Sequence, residues 1–357
     1  TARPSECALS SFVRYVWYVA AWDHEVTRQP LARVYMNEPV VLFRTEAGKA
    51  VALEDRCCHR LLPLSMGTVK GDFIECGYHG LTFDGGGKCV RIPGQASIPP
   101  QARVRSYPTA EKMGMVWLWM GDPALADESK IFDRLPQWGD PNWGLNEGPY
   151  TYIKANYQHM TDNLVDPAHI SFVHKSTIGS AAGEDIPVST TQDGDLVVVS
   201  RWTENAEPVP FFKLFGNFKG NVDRWQYYFL YAPHIAIIDF GSHEVATGHD
   251  DGARDKGIRV YSCHFMTPET ERSTHYFWLQ LRNFAQSDED VSRRITEQFV
   301  VAFSEDKAIL EAVQRREDEG GQLLRVKLAI DNGSTRLRRT VERRVAAEAG
   351  SNRHAAE

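Results

Sequence analysis

Two short segments, Cys57-Cys-His59-Arg60 and Cys76-Gly-Tyr-His79-Gly80, constrain this 357-residue chain more than any other feature. Each offers one thiolate and one imidazole. The spacings Cys-x-His and Cys-x-x-His are too tight to be two turns of a helix face, so the ligands are expected on two neighbouring β-turns. Gly77 and Gly80 let the backbone come close to a cluster and donate N–H bonds to its sulfides. Two metals compete for such a set. A four-coordinate zinc accepts Cys2His2. A [2Fe–2S] centre with two Cys on one iron and two His on the other takes one of each from both loops directly. The following Gly80-Leu-Thr-Phe-Asp-Gly-Gly-Gly87 hairpin and the loop carrying Pro93 and Pro99-Pro100 fit a lid, and favour the iron–sulfur arrangement. Imidazole in place of thiolate raises the reduction potential and leaves protonatable ring nitrogens, so electron transfer is expected to couple to a proton.

Cys57 is the expected ligand, because a Cys58–His59 pair has no spacer; Cys58 then reads as a buried small apolar residue. Cys89 and Cys263 read as strand core and Cys7 as incidental. The six cysteines are too uneven for the disulfide framework of a small secreted domain, which points to a reducing cytoplasm. The apolar run Val16–Trp22 is far short of the ~20 residues that span a bilayer. A net charge of −7 gives no footing for nucleic acid. No Gly-x-Gly-x-x-Gly or Walker loop occurs, so the chain itself is not expected to hold a nucleotide.

The length suggests about two domains. Short β-type runs (Val40–Phe43, Val51–Leu53, Leu81–Phe83, Val116–Trp119) argue for a small all-β domain ending near Gly121-Asp-Pro123. A helical stretch near 154–166 follows a connector. Longer strand-like runs come next (Leu196–Trp202, Arg224–Tyr231, His234–Phe240, Ile258–Met266, His275–Leu281), then a helix from about 289 to 317. This order suggests an antiparallel α+β domain with the helix laid on one sheet face, and a frayed C-terminal tail. The expected division is 8–124, 125–345 and a tail over 346–357.

The run Asn163-Leu-Val-Asp166-Pro-Ala-His169-Ile-Ser-Phe-Val-His174 places a carboxylate and two imidazoles within twelve residues. Asp166 and His169, three apart, are expected on one helical face, with His174 just past a bend. Two histidines lack one carboxylate of a facial triad, the set that leaves iron(II) open positions. Along the long helix Phe299, Phe303, Asp306, Leu310 and Val313 recur at helical spacing. An aspartate inside an apolar stripe is costly unless it binds something. Glu305, one residue earlier, reads as solvated.

On these two motif sets the chain resembles the large (alpha) subunit of Rieske non-haem iron aromatic-ring oxygenases, and most nearly their shorter members of the vanillate and dicamba O-demethylase type. Cys58 stands where relatives usually carry proline. The resemblance extends over Trp17-Tyr-Val-Ala20, Trp119-Met-Gly-Asp-Pro123, Thr267-Pro-Glu-Thr270, Arg282-Asn-Phe284 and Arg336-Leu-Arg-Arg339. It implies an N-terminal all-β Rieske domain and a C-terminal antiparallel-sheet, helix-grip (START-like) catalytic domain. Cys57, His59, Cys76 and His79 would hold the [2Fe–2S] cluster, and His169, His174 and Asp306 a mononuclear Fe(II). Asn163 and Asp166 would serve catalysis, with Asp166 bridging His169 to His79 of a neighbouring subunit in a homotrimer. A separate flavin and iron–sulfur reductase would bring electrons from NAD(P)H. With O2, a methoxyarene would be hydroxylated on its methyl group and fall apart to a phenol and formaldehyde. His264, on the opposite strand face from Tyr261, Cys263 and Phe265, is the candidate contact for the acid group of an aromatic substrate. The resemblance leaves ring cis-dihydroxylation as an alternative, and a non-catalytic Rieske electron carrier as one from a different class.

Overall fold

The structure, a computed structural model, describes residues 11–320 and 326–354 and side chains as far as 350; Cys7 lies outside them. Of the described residues, 11–133, 267–271 and 347–354 form one compact unit, and 134–266 with 272–346 form the other.

The first unit carries eleven strands: β1 Trp17–Trp22, β2 Leu31–Tyr35, β3 Glu38–Arg44, β4 Ala50–Glu54, β5 Thr68–Lys70, β6 Phe73–Glu75, β7 Thr82–Phe83, β8 Cys89–Arg91, β9 Ser106–Tyr107, β10 Thr109–Lys112 and β11 Met115–Trp119. They form three small sheets, ordered β1-β11-β10, β2-β3-β4-β9 and β5-β6-β7-β8. Val41, Phe43, Leu53, Ile74 and Phe83 pack a core that also holds Cys57, Cys76 and Cys89. The two cysteine–histidine loops therefore hang from a rigid apolar platform, and Cys89 is strand core as expected. The terminal segment differs from the frayed tail expected over 346–357: its helix continues to His354. Glu348 explains the order, because its carboxylate accepts the backbone N–H groups of Arg14 at 2.7 Å and Tyr15 at 3.1 Å.

The second unit is built on β12 Gly144–Glu147, β13 Thr151–Ile153, β14 Ser189–Asp193, β15 Leu196–Ala206, β16 Val222–Tyr231, β17 Ile235–Glu244, β18 Ile258–Thr270 and β19 Ser273–Arg282. Their antiparallel sheet runs β12-β19-β18-β17-β16-β15-β14, with β13 also on β19. The helices are α1 Tyr157–Asn163, α2 Ile170–Val173, α3 Pro210–Phe215, α4 Asp251–Arg254, α5 Glu289–Asp318 and α6 Asn332–His354. α5 begins where Asp288 accepts the Val291 N–H, with Glu289 and Asp290 in its first turn and Arg315 and Arg316 in its last, a charge order that suits the helix dipole. It lies on the sheet through Phe299 against Phe240 and Phe303 against Trp278. Its buried row is Ile295, Phe299, Ala302, Asp306, Leu310 and Gln314. Val313 of the expected stripe is exposed. Gln314 replaces it because its Oε1 accepts the Asn156 N–H at 2.9 Å, a bond that rewards burial of an amide.

The helix expected near 154–166 is shorter. Asn156 caps α1, and the helix ends at Asn163. Pro167 disfavours helical backbone at Asp166, whose Oδ1 instead accepts the Ala168 N–H at 2.7 Å. Asp166 and His169 thus lie in a turn between α1 and α2, not on a shared helical face.

Candidate metal centres

The two loops of the first unit are matched. In one, the Cys57 N–H donates to Leu62 O and the Leu61 N–H to Cys57 O; in the other, the Cys76 N–H donates to Leu81 O and the Gly80 N–H to Cys76 O. The fifth residue of each loop is left-handed, Gly80 at φ +69° and Leu61 at +62°. At Gly80 a Cβ would also lie 2.9 Å from Pro93, so glycine is required there. Leu61 bears the backbone strain and remains 63% exposed.

The loops sort their cysteines and histidines by depth. Cys57 and Cys76 are buried with their thiols against one another, whereas His59 and His79 are exposed with ring centroids 4.6 Å apart. Burial pushes the Cys57 thiol up to about 11, opposed by a backbone N–H from His59 and reinforced by Cys76. A tetrahedral zinc would bring its ligand atoms to within about 3.3–3.8 Å of one another. No three donors of this set lie within 4.8 Å; among the described residues only His169, His174 and Asp306 do. Two thiols on one side and two imidazoles on the other fit a two-iron cluster, one pair per iron. Cys58 is exposed, not buried as expected: in a turn that points Cys57 inward, its neighbour points out.

In the second unit both His174 Nε2, at 3.1 Å, and His169 Nε2, at 3.6 Å, face the same Asp306 oxygen. The far nitrogens are held from behind: His169 Nδ1 meets the Asp166 carbonyl at 2.5 Å, and His174 Nδ1 meets Glu305 Oε2 at 2.8 Å. Asn163 donates its amide to the same Asp306 oxygen at 3.0 Å. Burial alone would raise the Asp306 carboxyl, but the hydrogen bond and charge of His174, with His169 and Asn163, hold it below the usual range. Burial lowers His169, whereas at His174 the Asp306 and Glu305 carboxylates overcome burial and raise the imidazole. Two aimed imidazoles and one buried carboxylate are the donor set of a facial iron(II) site.

Glu305 corrects the sequence reading. It hydrogen-bonds His174 instead of standing in solvent, as the residue before Asp306 can when the two histidines lie at the helix edge. Asn163 and Asp166 both sit at the site, Asn163 orienting Asp306 and Asp166 Oδ2 lying 4.0 Å from His169 Nδ1. Burial raises the Asp166 carboxyl, against the pull of His169.

The three converging residues open on a cavity with walls that include Phe212, Phe240, Phe299, Phe303 and Ile238. His264 is fully buried in its wall, stacked on Tyr276, with Nδ1 2.6 Å from the Tyr276 hydroxyl and, among the described residues, no partner at Nε2. Burial pushes this imidazole down to about 3, so it is neutral in ordinary buffer. Other histidines have structural partners, such as His159 on Glu317 and His243 on two carbonyls.

Known proteins match the chain in two segments. The family described as Rieske [2Fe-2S] domain matches residues 16–108, and that described as vanillate O-demethylase oxygenase C-terminal domain matches 153–347. A putative toluene-4-sulfonate monooxygenase system iron-sulfur subunit of Comamonas testosteroni is 42% identical, over 95% of this chain and 98% of its own. A vanillate O-demethylase oxygenase subunit of Pseudomonas sp. is 36% identical, over 94% and 96%. The crystal structure of dicamba monooxygenase with 3,6-dichlorosalicylic acid superposes with a TM-score of 0.88 at 31% identity, covering 95% of this chain and 99% of that one.

Proposed function

Because this chain belongs to the Rieske oxygenases with a vanillate O-demethylase type catalytic domain, as their terminal oxygenase component, we propose that it O-demethylates or hydroxylates a substituted aromatic acid. The observation that carries this is the opening of His169, His174 and Asp306 onto an aromatic-walled cavity, which an electron carrier has no use for.

In this reading Cys57, Cys76, His59 and His79 hold the cluster, and His169, His174 and Asp306 hold the iron. Residues 8–124 serve electron entry and 125–345 serve oxygen chemistry. When bound, the iron supplies open coordination positions for O2, and the cluster supplies electrons delivered by a separate reductase. Glu305 and the Asp166 carbonyl fix the proton on each histidine's far nitrogen, which turns both Nε2 lone pairs toward the metal position. Asn163 holds Asp306 in place and touches no reacting atom, so its role is positioning. Asp166 keeps one carboxylate oxygen 4.0 Å from His169 Nδ1, and in a homotrimer it would hydrogen-bond an imidazole such as His79 of a second copy. The phenyl rings of Phe212, Phe240, Phe299 and Phe303 exclude water and stack on an arene, while His264 Nε2 offers it one hydrogen bond.

The test supplies the purified oxygenase with a flavin and iron–sulfur reductase, NADH, O2 and a panel of aryl carboxylates and sulfonates. Formaldehyde from a methoxyarene, or a hydroxymethyl product from a methylarene, is the expected result. A cis-dihydrodiol would shift the assignment to ring dihydroxylation, and no oxygen uptake with any arene would leave only electron transfer.

A further inference from the structure

The cavity contains a charge that the metal site does not explain. Arg224, on β16, lines it and is 5% exposed. Its Nη1 donates to the Ile178 carbonyl at 3.3 Å, while Nε and Nη2 have no partner among the described residues. Arg201, close enough to repel it, is satisfied by neutral acceptors: Gly183 O at 2.7 Å, Pro167 O at 3.0 Å and Gln226 Oε1 at 2.8 and 3.1 Å. Among the described residues, neither arginine forms an ion pair. Burial lowers Arg224 to about 10, and Arg201 adds to that, yet it remains cationic at neutral pH. A buried guanidinium without a counter-charge is costly, and its unpartnered Nε–Nη2 edge is the fork that takes two oxygens of an oxyanion side by side.

Register locates this charge. Arg224, Gln226 and Tyr228 alternate along β16 and all face the cavity. His264 is opposite Ala236, which is opposite Leu230, six residues along β16 from Arg224, or ~20 Å of strand. The cavity thus has a neutral imidazole toward one end and an uncompensated cation toward the other, with phenyl rings between.

We propose that Arg224 is the anchor for the anionic group of the substrate, gripping an aryl carboxylate or sulfonate through Nε and Nη2 while the ring lies among the phenylalanines. This rests on the aromatic-acid reading above and moves the acid contact away from His264. That imidazole then hydrogen-bonds an uncharged part of the substrate.

Equilibrium binding to the purified oxygenase separates the possibilities without turnover. Calorimetry with 4-methylbenzenesulfonate, 4-methylbenzoate and the neutral 4-methylbenzenesulfonamide is run on the wild type, Arg224→Gln, Arg224→Lys and His264→Gln. Arg224→Gln is expected to weaken both anions roughly 10- to 150-fold and leave the sulfonamide unchanged. Arg224→Lys keeps charge without the fork and falls between. The relative losses of the two anions show which oxyanion the fork prefers. Free of an unpaired buried charge, ligand-free Arg224→Gln melts no lower than the wild type. Anion binding retained in Arg224→Gln but lost in His264→Gln overturns the anchor while sparing the aromatic-acid reading. A lower melting temperature with loss of the sulfonamide as well makes Arg224 structural, and overturns it too. If the wild type prefers neither anion to the sulfonamide, both the anchor and the aromatic-acid reading fail.

Discussion

Replacing Glu305 with alanine tests whether a residue outside the triad sets metal affinity. A metal at His174 Nε2 requires the neutral ring with its proton on Nδ1, and Glu305 Oε2 receives that proton's hydrogen bond at 2.8 Å. The ring itself is buried, so nothing in solvent replaces the carboxylate directly. A hydrogen bond to a charged group is worth about 1.5–3 kcal/mol. Because the Glu305 side chain is 32% exposed, solvent screens its charge and the lower half applies, about 1.5–2 kcal/mol. At 1.4 kcal/mol per factor of ten, iron(II) affinity should fall ~10- to 30-fold. Glu305→Gln keeps an acceptor without the charge and should lose about half that free energy. The assay is anaerobic titration of iron-depleted protein with Fe(II) against a competing chelator, with the visible spectrum of the cluster as an internal control. Wild-type affinity in Glu305→Ala with an intact cluster would refute the argument. A loss as complete as that of Asp306→Ala would instead make Glu305 a ligand.

Two further outcomes separate neighbouring roles. Cys57→Ser should abolish the visible spectrum of the cluster while Cys58→Ser leaves it, since Cys57 is buried against Cys76 and Cys58 is exposed. His264 gives the pH test. Its imidazole is pushed down to about 3 in the fold, against about 6.5 unfolded, so below pH 6.5 only the unfolded chain takes up the proton. Its contribution is intact above pH 6.5 and is lost as pH falls toward 3. Between pH 7 and 5 the wild type should therefore lose about 2 kcal/mol that His264→Gln does not lose, read from denaturant midpoints at the two pH values. Parallel declines would show that His264 is not held neutral.

The expensive groups of this site explain which of its parts the sequence revealed. The pairing of Cys57 with His59 and of Cys76 with His79 was legible because each loop carries its own pair within four residues, and local spacing needs no tertiary knowledge. Asp306 was legible because α5 has a clean helical period, against which one inward carboxylate stands out. Glu305 was not, because its partner His174 lies 131 residues away and only the packing of α5 brings them together. The helix end at Asn163 turned on a proline effect that the apolar period hides. Arg224 was hidden for another reason. Residues 222–226 of β16 are all buried, so this part of the strand is covered on both faces and alternation no longer tells an inward side chain from an outward one. A buried charge is thus visible in sequence only where the local pattern still has two distinct sides. In this chain the helix keeps that distinction and shows the Asp306 carboxylate, while β16 loses it and conceals the Arg224 cation in the same cavity.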